Sequence, residues 1–165
     1  MSWMLEETRE APGRVAELLR ADERAYRALA DALEARAPDF ATTVARGSSD
    51  HAATYAASLL GIACGLVTAS LPPSLITRYG AKPDLRRALV LAISQSGASP
   101  DIVATVRTAR AGRACTVAIV NVPGSPLAEA AEHVLPQHAG AEHSVAATKS
   151  FICSLACVAR LVALW

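Results

Sequence analysis

From Phe40 onward, short apolar runs alternate with stretches whose apolar residues recur every three or four positions. Ala88–Ser94 (ALVLAIS) and Cys115–Val120 (CTVAIV) are continuous apolar runs bounded by polar turns, the pattern of parallel strands buried on both faces. Phe40–Arg46, Gly65–Leu71 and His133–Pro136 read as three further strands. Between them the spacing predicts helices over Asp50–Leu60, Pro72–Tyr79, Pro100–Ala111 and Ser125–Ala131, with a last helix from about Val145 to the end. Strand–helix alternation builds βαβ units, so the expected fold is α/β, a doubly wound three-layer sandwich around a parallel sheet. The crossovers are too short to hold a second domain within these residues.

The first 37 residues differ. Val15/Leu18/Leu19 and Tyr26/Leu29/Leu33 carry helical spacing without any strand signal. Pro12 is expected to divide this arm into a short leading piece and one or two longer helices. The arm should lie across the domain, across a partner subunit, or along one edge of the sheet. The division is thus a helical arm over 1–37 and an α/β domain over 38–165. Leu164-Trp165 falls inside an apolar helical run with no Gly, Asn or Pro stop signal, which favours a partial chain.

Composition narrows the function. Of the 165 residues, 52% are hydrophobic and 19% charged, which excludes a disordered chain. Sixteen Lys and Arg against fifteen Asp and Glu leave a net charge of +1, unlike the basic excess of a nucleic-acid or anionic-membrane surface. A membrane span needs ~20 apolar residues, and the longest candidate, Ser58–Leu71, contains Gly61 and Gly65 and stops at Pro72-Pro73. The N-terminus is acidic where a signal peptide would be basic, so a cytoplasmic location is expected. Cys64, Cys115, Cys153 and Cys157 sit in apolar runs without metal-ligand spacing, so they read as buried hydrophobes, with no metal and no disulfide expected.

Candidate chemistry concentrates in three loops. Arg46-Gly47-Ser48-Ser49-Asp50 follows the first strand, and Gln95-Ser96-Gly97-Ala98-Ser99 follows Ser94 at the end of the third. Gly97 permits a positive φ, Ser99 can cap the following helix, and Pro100 suits its first position. Hydroxyls and free amides at a helix start make a neutral cradle for an anion such as phosphate. A capped turn is the plainer reading of each loop alone. Neither loop is a P-loop or a dinucleotide fingerprint. The third cluster, Ala139–Ser150, brings Glu142, His143 and Lys149 to the entrance of the last helix. Glu142 and His143 could exchange protons with a substrate. Alternatively, Glu142 supports the helix N-terminus and Lys149 pairs with a carboxylate. His133 and His138 read as strand-end residues.

The stretches ARGSSDHAATYA (Ala45–Ala56), LAISQSGASPDIV (Leu91–Val103), VAIVNVPGSPLAEAA (Val117–Ala131) and AGAEHSVAATKSF (Ala139–Phe151) resemble the sugar isomerase (SIS) domain family. The similarity is greatest to two-SIS-domain enzymes of amino-sugar phosphates: glucosamine-6-phosphate deaminases, AgaS-type aldose–ketose isomerases, and the isomerase half of glutamine–fructose-6-phosphate aminotransferase. The resemblance implies a five-stranded parallel, flavodoxin-like sheet that binds a phosphorylated sugar without a cofactor. It places Ser94, Gln95, Ser96 and Ser99 in the phosphate loop and Ser49 against the sugar, with Gly47, Ser48 and Gly97 shaping the turns. Val145 and Ala147 match sugar-lining positions, and Glu142 matches a carboxylate beside them, the one catalytic candidate here.

In those relatives the proton-moving glutamate and the ring-opening histidine and lysine lie in a second SIS domain. The glutaminase domain that amination requires has no counterpart before residue 40. The expectation is therefore the phosphosugar-binding half of an amino-sugar-phosphate deaminase or isomerase, with a second SIS domain and a homodimer partner. The alternatives are an aldose–ketose phosphosugar isomerase and a non-catalytic phosphosugar sensor.

Overall fold

The two uninterrupted apolar runs are the central strands of a parallel sheet, seen here in a computed structural model that describes residues 2–165. In chain order the elements are α1 (Trp3–Arg20), α2 (Glu23–Arg36), β1 (Phe40–Val44), α3 (Ser48–Cys64), β2 (Thr68–Ser70) and α4 (Pro73–Thr77). They continue with β3 (Ala88–Ser94), α5 (Pro100–Ala111), β4 (Cys115–Val120), α6 (Pro126–Ala130), β5 (His133–Pro136) and α7 (Lys149–Leu164). The strands lie in the order β2-β1-β3-β4-β5 with every neighbouring pair parallel. The expected fold class, a five-stranded parallel α/β sandwich behind an N-terminal helical arm, is the observed one.

Alternation along the strands feeds two cores. Leu89, Leu91 and Ile93 of β3 and Val117 and Ile119 of β4 pack with buried residues of α1, α2, α3 and α7. Ala88, Val90 and Ala92 with Ala118 and Val120 face α5 and α6 instead. Every residue of β3 and β4 is buried, as continuous apolar runs require. Each fully buried Leu, Ile or Val contributes roughly 1.5–3 kcal/mol, so this double-faced strip dominates the stability.

Several boundaries differ from the sequence reading. α1 runs unbroken through Pro12 and ends at Arg20. Pro12 is on the exposed face, where the carbonyl that loses its partner can turn to water. Glu7, Ala11 and Leu18 anchor the helix on both sides of it. The break falls instead at Asp22, whose backbone is left-handed with φ 54°. β2 keeps only three residues, because Gly65 ends α3 in a left-handed turn and an edge strand has one neighbour to pair with. α3 begins at Ser48 rather than Asp50, and α7 begins at Lys149 rather than Val145. Among the described residues no helix is long and apolar enough to cross a membrane.

Candidate functional site

The chain reverses its direction of travel across the sheet at β1, which has β2 on one side and β3 on the other. The loops leaving β1 and β3 therefore part to opposite faces, to α3 in one core and α5 in the other. The crevice between such diverging loops is where open parallel sheets hold ligands. Both hydroxyl-rich loops of the sequence open onto it.

In the first loop, Gly47 takes φ 59° and ψ −135°, a conformation that side chains oppose, and it occupies the N-cap of α3 without a side-chain cap. Ser48 and Ser49 are half-buried in the first helical turn rather than in the loop. Arg46 reaches across to Asp101 in the first turn of α5, with N–O 2.5 Å, and ties the two loops together.

The second loop is held from within. Ser94 is buried, and its Oγ accepts the Gly97 N–H at 3.1 Å. Ser96 Oγ accepts the Ala98 N–H at 3.3 Å, while the residue itself is exposed. Gly97, at φ 62°, lies so close to Ser125 that a Cβ there would sit 2.6 Å from the Ser125 Cβ. The Gly97 carbonyl accepts the Leu127 N–H at 3.0 Å, and the Gln95 carbonyl accepts the Asn121 N–H at 3.2 Å. The expected capping by Ser99 is not made: its backbone occupies the N-cap of α5, but its side chain makes no cap bond. Extended backbone at Ser99 (φ −66°, ψ 113°) puts the residue in the right place, yet its hydroxyl is left for another partner. Gln95 and Ser99 are half-buried at the rim.

The third cluster lies at the same end of the sheet, since α7 starts beyond the carboxyl end of β5. Gln137, just past β5, donates to Ser154 Oγ one turn into α7. Glu142 is the cap of this helix. Its carboxylate accepts the Thr148 N–H (2.7 Å) and hydroxyl (3.0 Å), the Ser150 N–H (3.3 Å), and a short bond from the Ser150 hydroxyl. These bonds keep residues 145–148 out of the helix and explain its late start. Lys149 is 3% exposed and pairs with Glu10 at 2.7 Å, the structural pairing that the sequence left open. Val145 is fully exposed and Ala147 half-buried.

Three side chains that the sequence reading passed over hold this cluster. Asn121, at the end of β4, donates to the Gly140 carbonyl (2.7 Å) and accepts the Ala139 N–H (2.9 Å). Glu7 on α1 is 1% exposed and accepts the N–H groups of His143 and Ser144 and the Ser144 hydroxyl. Burial alone would raise the Glu7 carboxyl; the bonds from His143 and Ser144 and the charge of Lys149 outweigh it and bring it down to about 2. Glu10, which holds Lys149, is the third. Glu7 was detectable in principle, because it extends the buried stripe of Ala11 and Leu18 on the helix.

One group among the described residues has metal-ligand character. Ligand atoms of Cys115, Glu132 and His133 lie within 4.8 Å of one another. It sits at the opposite end of the sheet, at the starts of β4 and β5. Both Glu132 oxygens are already bound by the Arg36 guanidinium at 2.5 and 2.9 Å, so a cation would meet a fixed positive charge.

Comparison with known proteins places this geometry. The model of the SIS domain matches residues 41–164. The glutamine–fructose-6-phosphate aminotransferase of Methanothermobacter thermautotrophicus is 42% identical over 124 residues, covering 73% of this chain and 20% of that protein. The Thermus thermophilus enzyme of the same name is 36% identical over 134 residues, covering 81% of the chain and 22% of the enzyme. The chain thus spans about a fifth of the length of these relatives. Among solved structures, a candidate phosphosugar isomerase of Silicibacter pomeroyi superposes with TM-score 0.96 at 45% identity, covering all of this chain and 50% of that one. The Vibrio vulnificus NanR protein complexed with ManNAc-6P shares the fold, with TM-score 0.81 at 19% identity over 95% of this chain and 60% of that one.

Proposed function

We propose a function from one premise: the chain belongs to the SIS domain family. It binds a phosphorylated sugar in the crevice beyond β1 and β3. Ser94, Gln95, Ser96 and Ser99 take the phosphate, Ser49 contacts the sugar, and Gly47, Ser48 and Gly97 set the loop shapes. The observation that carries this reading is the state of the α5 entrance. Ser99 stands at the N-cap with its hydroxyl outside any cap bond, beside two other serines and the start of a 12-residue helix. Hydroxyls and amide groups aimed at a helix start suit a dianionic phosphate, which the helix dipole also favours.

Within that class we assign the chain to an amino-sugar-phosphate deaminase or isomerase, as the first of two SIS domains, with the helical arm over 1–37 and the SIS domain over 38–165. The reaction opens the sugar ring and moves a proton from C2 to C1. In a deaminase, water then displaces ammonia from the C2 imine to leave the ketose phosphate. General acid–base groups suffice for these steps, with no cofactor. Glu142 is the carboxylate nearest this role, but its oxygens are taken up by capping α7. The proton-transfer groups therefore belong to a second SIS domain, and the exposed Ile62 (84%) and Val67 (76%) supply apolar surface for a homodimer partner. A phosphosugar isomerase without deamination, or a sensor, would use the same crevice.

The test is titration calorimetry with glucosamine 6-phosphate and fructose 6-phosphate. Replacing Ser94 and Ser96 together by Ala should weaken binding at least roughly tenfold, since each hydrogen bond to a charged group is worth ~1.5–3 kcal/mol. Unchanged affinity removes the phosphate from this loop.

A further inference from the structure

We propose that the N-terminal helix is a working part of the sugar site and that Glu7 is a positioning residue for its third loop. The inference rests on the phosphosugar reading above and adds a component to it.

Residues 141–148 carry no regular secondary structure. A loop of this length without strand or helix bonds holds one shape only if side chains collect its amides. Two carboxylates do so here. Glu142 fastens the end that leads into α7, through Thr148 and Ser150. Glu7 fastens the beginning through the His143 and Ser144 N–H groups and the Ser144 hydroxyl, and Thr148 Oγ1 lies 3.3 Å from it. One turn along α1, Glu10 holds the buried Lys149 ammonium. Trp3 covers the same corner, its ring 4.9 Å from that of His143.

Val145 and Ala147 lie between the two fastened points. Neither makes the bonds that define the loop; they ride on it. An acceptor 136 positions away in the sequence therefore sets where the sugar-lining residues stand. With Glu7 gone, these donors turn to water, and the loop must be ordered at the expense of ligand binding.

The experiment compares wild type with Glu7→Gln, Ser144→Ala and the double variant in the full-length protein. Amide exchange over residues 142–148, the thermal midpoint and the affinity for glucosamine 6-phosphate are measured for each. Gln keeps the size of Glu7 but offers one acceptor oxygen in place of two and no charge, so the donors gathered on the second oxygen lose their partner. We expect Glu7→Gln to speed exchange in 142–148 by about tenfold or more while β3 and β4 keep their protection. Affinity should fall roughly threefold to tenfold, and Ser144→Ala should do less. The double variant should bind no more weakly than Glu7→Gln alone, because both act through one loop. Should Glu7→Gln fail to fold, Glu7→Asp and Ser144→Ala carry the same comparison, with Asp restoring part of the affinity. Ser96→Ala serves as control: it should lose affinity with loop exchange unchanged. Wild-type affinity and exchange in Glu7→Gln overturn the proposal while leaving the phosphosugar reading intact. A wild-type protein that binds no phosphosugar overturns that reading first and this one with it.

Discussion

Gly97→Ala tests the site's framework most directly. Two costs arise at once. The backbone at Gly97 is left-handed (φ 62°), which costs an L-residue about 1–2 kcal/mol. The added methyl would also lie 2.6 Å from the Ser125 Cβ and closer still to its Oγ. Ser125 has little freedom to withdraw. It is 3% exposed, and its Oγ caps α6 by accepting the Ala128 N–H at 3.4 Å. Overpacking of this kind costs ~1–3 kcal/mol. Together the destabilisation should reach about 2–5 kcal/mol, or roughly 4–20 °C in thermal midpoint for a domain of this size. The assay is urea unfolding of the single variant and of the same change in a Ser125→Gly background. Removing the Ser125 side chain eliminates the clash, so Gly97→Ala should then cost only the backbone part. A single variant within about 0.5 kcal/mol of wild type would refute the reasoning, as would the same cost in both backgrounds.

Three further outcomes follow from the same structure. Glu7 is held at about 2 against an ordinary value near 4.5, so the native state binds this proton less readily than the unfolded chain does. Its contribution is complete above about pH 4.5 and disappears as pH falls toward 2; Glu7→Gln should flatten that part of the melting-temperature profile, and an unchanged acid limb would contradict the assignment. Burial pushes the Cys153 thiol up to about 11 and that of Cys157 up to about 12, whereas Cys64 is only half-buried. Maleimide labelling of the native protein at pH 8 should therefore mark Cys64 first, as mass spectrometry of peptides will show; early labelling of Cys157 would mean that α7 opens. Finally, the 165-residue chain by itself should bind phosphosugar but release little ammonia or fructose 6-phosphate from glucosamine 6-phosphate compared with the full-length protein. Equal turnover would make Glu142 the first catalytic residue to replace.

The positions of the two central strands were legible in the sequence because burial on both faces leaves an uninterrupted apolar run between polar turns. Ala88–Ser94, Cys115–Val120 and His133–Pro136 have the same bounds in the structure as in the sequence reading. Helix α5 matched for a local reason too: Pro100 starts it and Gly112 follows its last residue. The identity of the hydroxyl-rich loops, and their likeness to the SIS family, also needed only residue order and spacing. Tertiary structure decided what local rules weigh wrongly or do not see. Pro12 breaks an isolated helix, but here the packing of Ala11 and Leu18 outweighs a missing bond on the exposed face. Val145–Thr148 has helical spacing, yet Glu142 takes the donors that would have continued α7 backward. Ser99 had the identity of a cap and received the position without the bond. Which loops meet depended on strand order, which puts β1 beside both β2 and β3 and opens the crevice between them. Glu7 is the extreme case. Its spacing from Ala11 and Leu18 puts it on the buried face of the helix, but only the fold brings it to amides 136 residues away.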